Sequence, residues 1–174
     1  MNPSLKKNVE YLRSLPGFKE DADGNGYKFL TPSGRMSLRG AGLFDEITEV
    51  GEYGTLNATK LVKIVEKGHT PVLLKVKDLF PNISKREVDH KYAKMLTKDR
   101  LAVPLIGIVN QAGAMDIVDG THRLWRLWKL RQEDAEVFCL KHTVINVVRV
   151  TYRVEVGGLW LPFDKTKMRL ASTM

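Results

Sequence analysis

Cysteine is scarce in this chain, and acid is outnumbered by base. A single cysteine, Cys139, stands among 174 residues, so no disulfide framework or cysteine metal cluster can form within one chain. No apolar run comes near the roughly 20 residues that span a bilayer. The opening stretch, "MNPSLKKNVEYLRSL", lacks the apolar core of a signal peptide, and a cytoplasmic protein without a membrane partner is expected. Lys and Arg number 28 against 20 Asp and Glu, a net charge of +8, and residues 1–60 contain the two in equal numbers. The whole excess therefore lies in the last two thirds. A basic field there suits a polyanion, whether nucleic acid, nucleotide phosphates or an acidic protein; the plain alternative is a solvated basic surface. With 43% hydrophobic and 28% charged residues, the composition is that of one globular domain with room for a small appendage.

Residues 1–60 read as a helix followed by a β-meander. Asn2, Pro3 or Ser4 opens the helix, Val9, Leu12 and Leu15 form its apolar side, and Pro16-Gly17 ends it. The meander over 17–40 turns at "DADGNG" and "TPSG". The first turn has the opening of a calcium loop, with Asp21, Asp23, Asn25 and Gly26 in place. Its twelfth position, however, is Pro32, where a bidentate glutamate is required. It is read as a tight turn of residues that tolerate left-handed backbone. Glycines over 40–54 mark a connection, and "TLNATKLVKIVEKGH" reads as a helix capped near Asn57 and closed by Gly68.

From Thr70 the pattern becomes mixed α/β. "PVLLKVKDL" is strand-like, and "NISKREVDHKYAKMLTKD" reads as one helix. Ser84 and Glu87 are spaced there as a capping box, with Val88, Tyr92 and Met95 on one face. "AVPLIGIV" is a buried strand, "MDIVD" a second, and "THRLWRLWKLRQ" a helix with Leu124, Leu127 and Trp128 inward. "AEVFCLKHTVINVVRVTYRVEV" gives one or two strands. In its latter part Val144, Val148, Val150, Tyr152, Val154 and Val156 share one face, and Arg149, Thr151 and Arg153 the other. The expected fold class is mixed α/β, with a helix and β-meander appendage over 1–60. A central domain covers 70–142, and a C-terminal strand with a basic tail covers 143–174.

The chemistry concentrates at "DIVDGTHRLWRLWKL", residues 116–130, where a strand runs into a helix. A helix start presents unpaired N–H groups and a partial positive charge, which together attract phosphate. Gly120 allows close approach of the backbone to an anion. Thr121 can cap the helix or bond a phosphate oxygen, and His122 and Arg123 add a titratable donor and a bidentate clamp. Arg126, one turn on, widens the positive site. Asp119 is placed to hold a metal ion, orient the imidazole or cap the helix. The plain alternative leaves Asp119 or Thr121 as a cap and His122 and Arg123 solvated.

The order strand–helix–strand–turn–strand–"DGTHR"–helix–strand resembles the ParB/sulfiredoxin superfamily over about residues 70–142. "PVLLKVKDLFPN" looks like its first strand with the trailing Pro-Asn, and "YAKMLTKDRLAVPLIGIV" like its helix and following strand. "IVDGTHRLWRLWKL" looks like its nucleotide-phosphate motif, and Gly120, His122 and Arg123 fall on the phosphate-binding positions. Thr121 falls where sulfiredoxins carry a catalytic cysteine; a hydroxyl cannot form their sulfur-linked intermediate, which argues against that activity. The ParB arginine pair is replaced by His122-Arg123, and no helix-turn-helix pattern follows, which argues against a full chromosome-partition protein. The form Asp-Gly-x-His-Arg is similar to small plasmid- and phage-borne members, some of them ATPases and DNases, and to free-serine kinases of the same fold.

The resemblance implies a nucleotide-binding protein of a mobile element that acts on DNA as an ATP-linked, Mg²⁺-assisted nuclease. Asp119 would hold the metal, and His122 would act as general base or acid. Glu87 would be an assisting carboxylate, from the side where family kinases place their base. Gly120, Thr121, His122, Arg123 and Arg126 would bind the nucleotide. Asp89 could assist as well, although Asp89 and His90 also suit a solvated helix face. Trp125 and Trp128 fit core packing, with base stacking as the functional alternative. Arg149 and Arg153, with Lys165, Lys167 and Arg169 of the tail, are the expected DNA contacts. The alternatives are a catalytically silent regulator, such as a transfer or partition inhibitor working with a DNA-processing protein, and a small-molecule kinase.

Overall fold

Glycine-rich turns and alternating apolar residues set the first sheet, and a computed structural model of the chain describes residues 3–82, 88–156 and 159–162. In chain order the elements begin with α1 (Pro3–Ser14), β1 (Lys19–Glu20), β2 (Gly26–Thr31), β3 (Gly34–Arg39), β4 (Ile47–Val50), β5 (Gly54–Asn57) and α2 (Ala58–Glu66). Next come β6 (Val72–Lys75), α3 (Val76–Leu79), α4 (His90–Lys94), α5 (Lys98–Leu101), β7 (Leu105–Val109) and β8 (Met115–Asp119). The last are α6 (Thr121–Lys129), β9 (Asp134–Lys141), α7 (Ile145–Val148), β10 (Thr151–Val156) and β11 (Leu159–Pro162). The architecture is mixed α+β. It divides into two units, one built from the chain up to Leu61 and again from Val148, the other from Val62 to Val147. No helix among the described residues is long and apolar enough to cross a membrane.

The first unit carries an antiparallel sheet in the order β1-β2-β3-β10-β11. Strand alternation turns Tyr27, Phe29, Met36 and Leu38 to one face, where they are buried with Val150 and packed by Leu12, Leu15 and Phe18. The register Lys28↔Ser37↔Arg153 and Arg39↔Thr151 puts Lys28, Arg39 and Arg153 on the opposite face. The "DADGNG" turn is locked from within. Arg39 donates to Asp21 at 2.7 Å and to both oxygens of Asp23 at 2.9 and 2.7 Å. Its guanidinium holds the Asp23 carboxyl well below the usual carboxylate range. Asn57 caps α2, as its sequence context indicates, by accepting the Lys60 N–H at 3.0 Å. Its amide donates to Asp45 and to the Gly40 carbonyl, so this buried polar group is satisfied.

The second unit holds a four-stranded sheet in the order β6-β9-β7-β8, with β7 and β9 parallel and both outer pairs antiparallel. Val76, Leu79, Ala93, Leu105, Ile117, Leu124, Trp125 and Val137 form its core, and α6 packs against α3, α4 and α5.

Several expected elements are redrawn. The run over 40–54 is not only a connection, since β4 and β5 pair as a hairpin. "PVLLKVKDL" stops being a strand at Lys75, where Val76 and Leu79 bury through one helical turn, α3. Among the described residues of the single helix expected up to Asp99 there are two short ones, begun by Asp89 and Thr97, whose side chains accept the Tyr92 and Arg100 N–H groups. Ser84 and Glu87 lie outside the described residues. The strand expected through Val144 and Val148 is interrupted: residues 142–148 are helical, and β10 begins only at Thr151. Their β-branched residues favour a strand, but Ile145 and Val148 are buried at helical spacing while Asn146 and Val147 stay exposed. β10 pairs with β3, which places the C-terminal strand in the first unit's sheet.

Candidate functional site

An irregularity in β8 brings Asp119 to the surface. Ile106 of β7 faces Asp119 and Gly107 faces Ile117, so Val118 is an extra, bulged residue. Strict alternation would turn Asp119 to the side of Ile117, into the core. Ile117 packs into the core against α6, Val118 is buried outside that cluster, and past the bulge the Asp119 side chain is 39% exposed.

Gly120 turns the chain into α6 with φ +99°, a conformation other residues rarely adopt. A Cβ there would lie 2.5 Å from Leu105 Cδ2 and 2.8 Å from Arg123 Nη2. Gly120 itself is the N-cap residue and Thr121 is the first helical one, so neither Asp119 nor Thr121 stands in the capping position. A glycine cap offers no side-chain acceptor to the first-turn N–H groups. The positive end of the α6 dipole is therefore not answered by its own cap.

Arg123 is more than a clamp for ligand. Only 7% exposed, it donates from Nη2 to Asp119 Oδ2 at 3.0 Å and from Nη1 to the Val103 carbonyl at 3.2 Å. The pair ties the end of β8 to the first turn of α6. Burial lowers the pKa of this guanidinium from its ordinary value against the pull of Asp119, and the nearby Arg100 cation adds to the lowering. Two like charges thus share a small space.

His122 is also engaged. Its Nε2 accepts the Asp89 N–H at 3.1 Å. A backbone amide can only donate, so Nε2 carries no proton while this bond holds, and in the neutral ring the proton is on Nδ1. The Tyr92 ring meets the imidazole edge-on, with centroids 5.2 Å apart. The Asp89 carboxylate is occupied as the cap of α4, and His90 stacks on Trp125 at 4.6 Å. Asp89 and His90 therefore have structural employment on the described side of the site.

A bay of about 120 Å³ opens here, lined by Tyr92, Leu96, Arg100 and the run from Asp119 to Arg123. Five consecutive residues of the sequence motif line it. Arg126 does not, and Arg100 supplies the second cation instead. Nothing in the spacing of the chain ties Arg100 to the motif; its one local signal is the Thr97 cap that positions α5. Of the expected DNA contacts, Arg149 and Arg153 are exposed in the first unit, Arg153 on the outward face of β10. Glu87, Lys165, Lys167 and Arg169 lie outside the described residues. Trp125 is buried, as core packing requires, whereas Trp128, expected inward from spacing, is 39% exposed.

The donor set is a poor seat for a divalent cation. One oxygen of Asp119 already holds a guanidinium, whose charge opposes a metal ion at the same carboxylate. Among the described residues no three His, Cys, Asp or Glu side chains gather to bind one. What the bay does offer is donors and positive charge for an anion. The chain matches no protein-family model, no curated protein and no solved structure.

Proposed function

We propose that the protein is a nucleotide-binding member of the ParB/sulfiredoxin-like proteins of mobile elements. It takes the phosphates of ATP or a related triphosphate at the start of α6 and acts with DNA as a regulator rather than a nuclease. The observation that carries this reading is the convergence on one bay of the exposed Arg100, Thr121 and a helix start whose glycine cap offers no side-chain acceptor, with the paired Arg123 beside them. Phosphate contacts of this kind need donors and positive charge, and the bay has both. Magnesium, in this reading, travels with the triphosphate, and the one carboxylate lining the bay, Asp119, is held by Arg123. The engaged Asp119 carboxylate and the occupied Nε2 of His122 favour binding over turnover. DNA as the partner rests on the basic excess of the last two thirds and on the exposed Arg149 and Arg153 of the first unit.

Arg100→Ala is the cleanest test, because Arg100 is exposed and makes no ion pair among the described residues, whereas Arg123 holds the fold together locally. Calorimetry with ATP is expected to show binding by the wild type and a loss of about 1.5–3 kcal/mol in the variant. The nuclease reading takes over if purified protein cleaves plasmid DNA and Asp119→Asn and His122→Ala abolish that cleavage while leaving ATP affinity intact. Equal ATP affinity in Arg100→Ala and wild type removes the proposal.

A further inference from the structure

The opposite end of α6 borders a second bay, of about 260 Å³, lined by Lys75, Lys77, Trp128, Arg131 and Glu133 among others. Its geometry follows from how the helix stops. The Gln132 N–H bonds the Leu127 carbonyl at 2.9 Å and the Arg131 N–H bonds the Trp128 carbonyl at 3.0 Å, the two hydrogen bonds of a Schellman ending. That ending puts its next residue in the left-handed region, and glycine is the usual occupant. Here it is Arg131, with φ +58°, and no other non-glycine among the described residues has a positive φ. Arginine carries a backbone penalty at this position that glycine would avoid.

The side chain retained there has companions. Lys77 and Arg131 make no ion pair among the described residues, while Lys75 is held by Asp134 at 3.0 Å. Glu133 lines the bay as an opposing charge, Asp78 also acts on Lys75, and the Glu133 backbone carbonyl accepts the Val76 N–H at 2.9 Å. Trp128 is stiffened on one face by Phe80, stacked 3.9 Å away and nearly parallel, and the flexible Lys129 side chain lies over the ring, its ammonium 5.2 Å from the centroid, where a base enters by displacing it. The result is a braced indole beside cations that stand in solvent. An open, charge-lined bay just below the volume of ordinary small-molecule pockets suits a strand passing through it better than an enclosed metabolite.

We infer that this end of α6 binds single-stranded nucleic acid, with backbone phosphates on Lys77 and Arg131 and an unpaired base against Trp128. Cationic side chains that track phosphates, joined to an aromatic platform that accepts any base, are what sequence-tolerant recognition of single strands requires. The site does not depend on ATP binding at the start of the helix.

Fluorescence anisotropy of a labelled oligothymidylate about ten nucleotides long tests it on the full chain. The wild type is expected to bind at low salt, with affinity that falls steeply as salt rises. Lys77→Glu combined with Arg131→Glu should weaken binding at least about tenfold. Trp128→Leu should weaken it roughly 5- to 150-fold, while leaving affinity for an abasic strand of the same length unchanged. Arg131→Gly separates site from scaffold: it should raise the melting temperature by about 2–8 °C and yet weaken oligothymidylate binding. Absence of binding by the wild type, unchanged affinity in the folded Arg131→Gly and Lys77→Glu proteins, or tighter binding of duplex that is indifferent to Trp128, overturns the inference.

Discussion

The chain enters α6 through Gly120 at φ +99° and leaves it through Arg131 at φ +58°, so both flanks are left-handed. Ordinarily a polar cap such as Asp or Ser begins a helix and glycine follows its end. Here glycine holds the start and arginine the finish. At the start, a cap side chain would occupy the first-turn donors, and a Cβ would strike Leu105 and Arg123. At the finish, a glycine would ease the backbone but remove a cation from the second bay. Each end gives up local helix stability at the place where chemistry can be presented, which is where departures from local preference are expected to gather.

Substitution at the two left-handed positions should move stability in opposite directions. Gly120→Ala carries the largest expected effect: a positive φ and a contact of 2.5 Å with Leu105 together cost about 2–4 kcal/mol in denaturant unfolding. A loss under about 0.5 kcal/mol would mean the turn relaxes freely, and the contrast between the ends would disappear. Next comes the pair that braces the start. Asp119→Ala leaves a nearly buried guanidinium without its counter-ion and should cost about 3 kcal/mol. Arg123→Met keeps the apolar stem and leaves a carboxylate that can reach water, so about 1–2 kcal/mol is expected. Equal costs in the two variants would show that the pair is not asymmetric in the way its burial indicates. Arg131→Gly is the smallest effect and has the reverse sign, a gain of about 1 kcal/mol.

Much of the fold was legible wherever a local signal agreed with its surroundings. Pro16-Gly17 ended α1, the "TPSG" turn joined β2 to β3, Asn57 capped α2, and "MDIVD" followed by "DGTHR" marked the junction of β8 with α6. The failures came where distant contacts decided. Spacing put Trp128 inward, but α3, α4 and α5 cover the side of α6 that carries Leu124 and Trp125. Val144 and Val148 read as strand residues by propensity, yet the chain coils there before it joins β3 through β10. Within the site, the motif Asp119 to Arg123 was visible as a run of chemistry-bearing residues, and all five line the bay. Arg100 was not, because it arrives from another helix, and no periodicity records a meeting between α5 and the start of α6. The inward turn of Arg123 was equally hidden. An arginine one helical turn after an aspartate can pair with it or with a ligand, and only the bulge at Val118 shows how Asp119 reaches it.

The most direct test of the account is nuclear magnetic resonance of ¹⁵N-labelled protein titrated with ATP at low salt. The amide resonances of Thr121 and His122 are expected to shift progressively and saturate, with the Arg100 guanidinium signals moving alongside and the shifts lost in Arg100→Ala. If ATP moves other resonances and leaves those of Thr121 and His122 in place, the start of α6 is not where the phosphates bind.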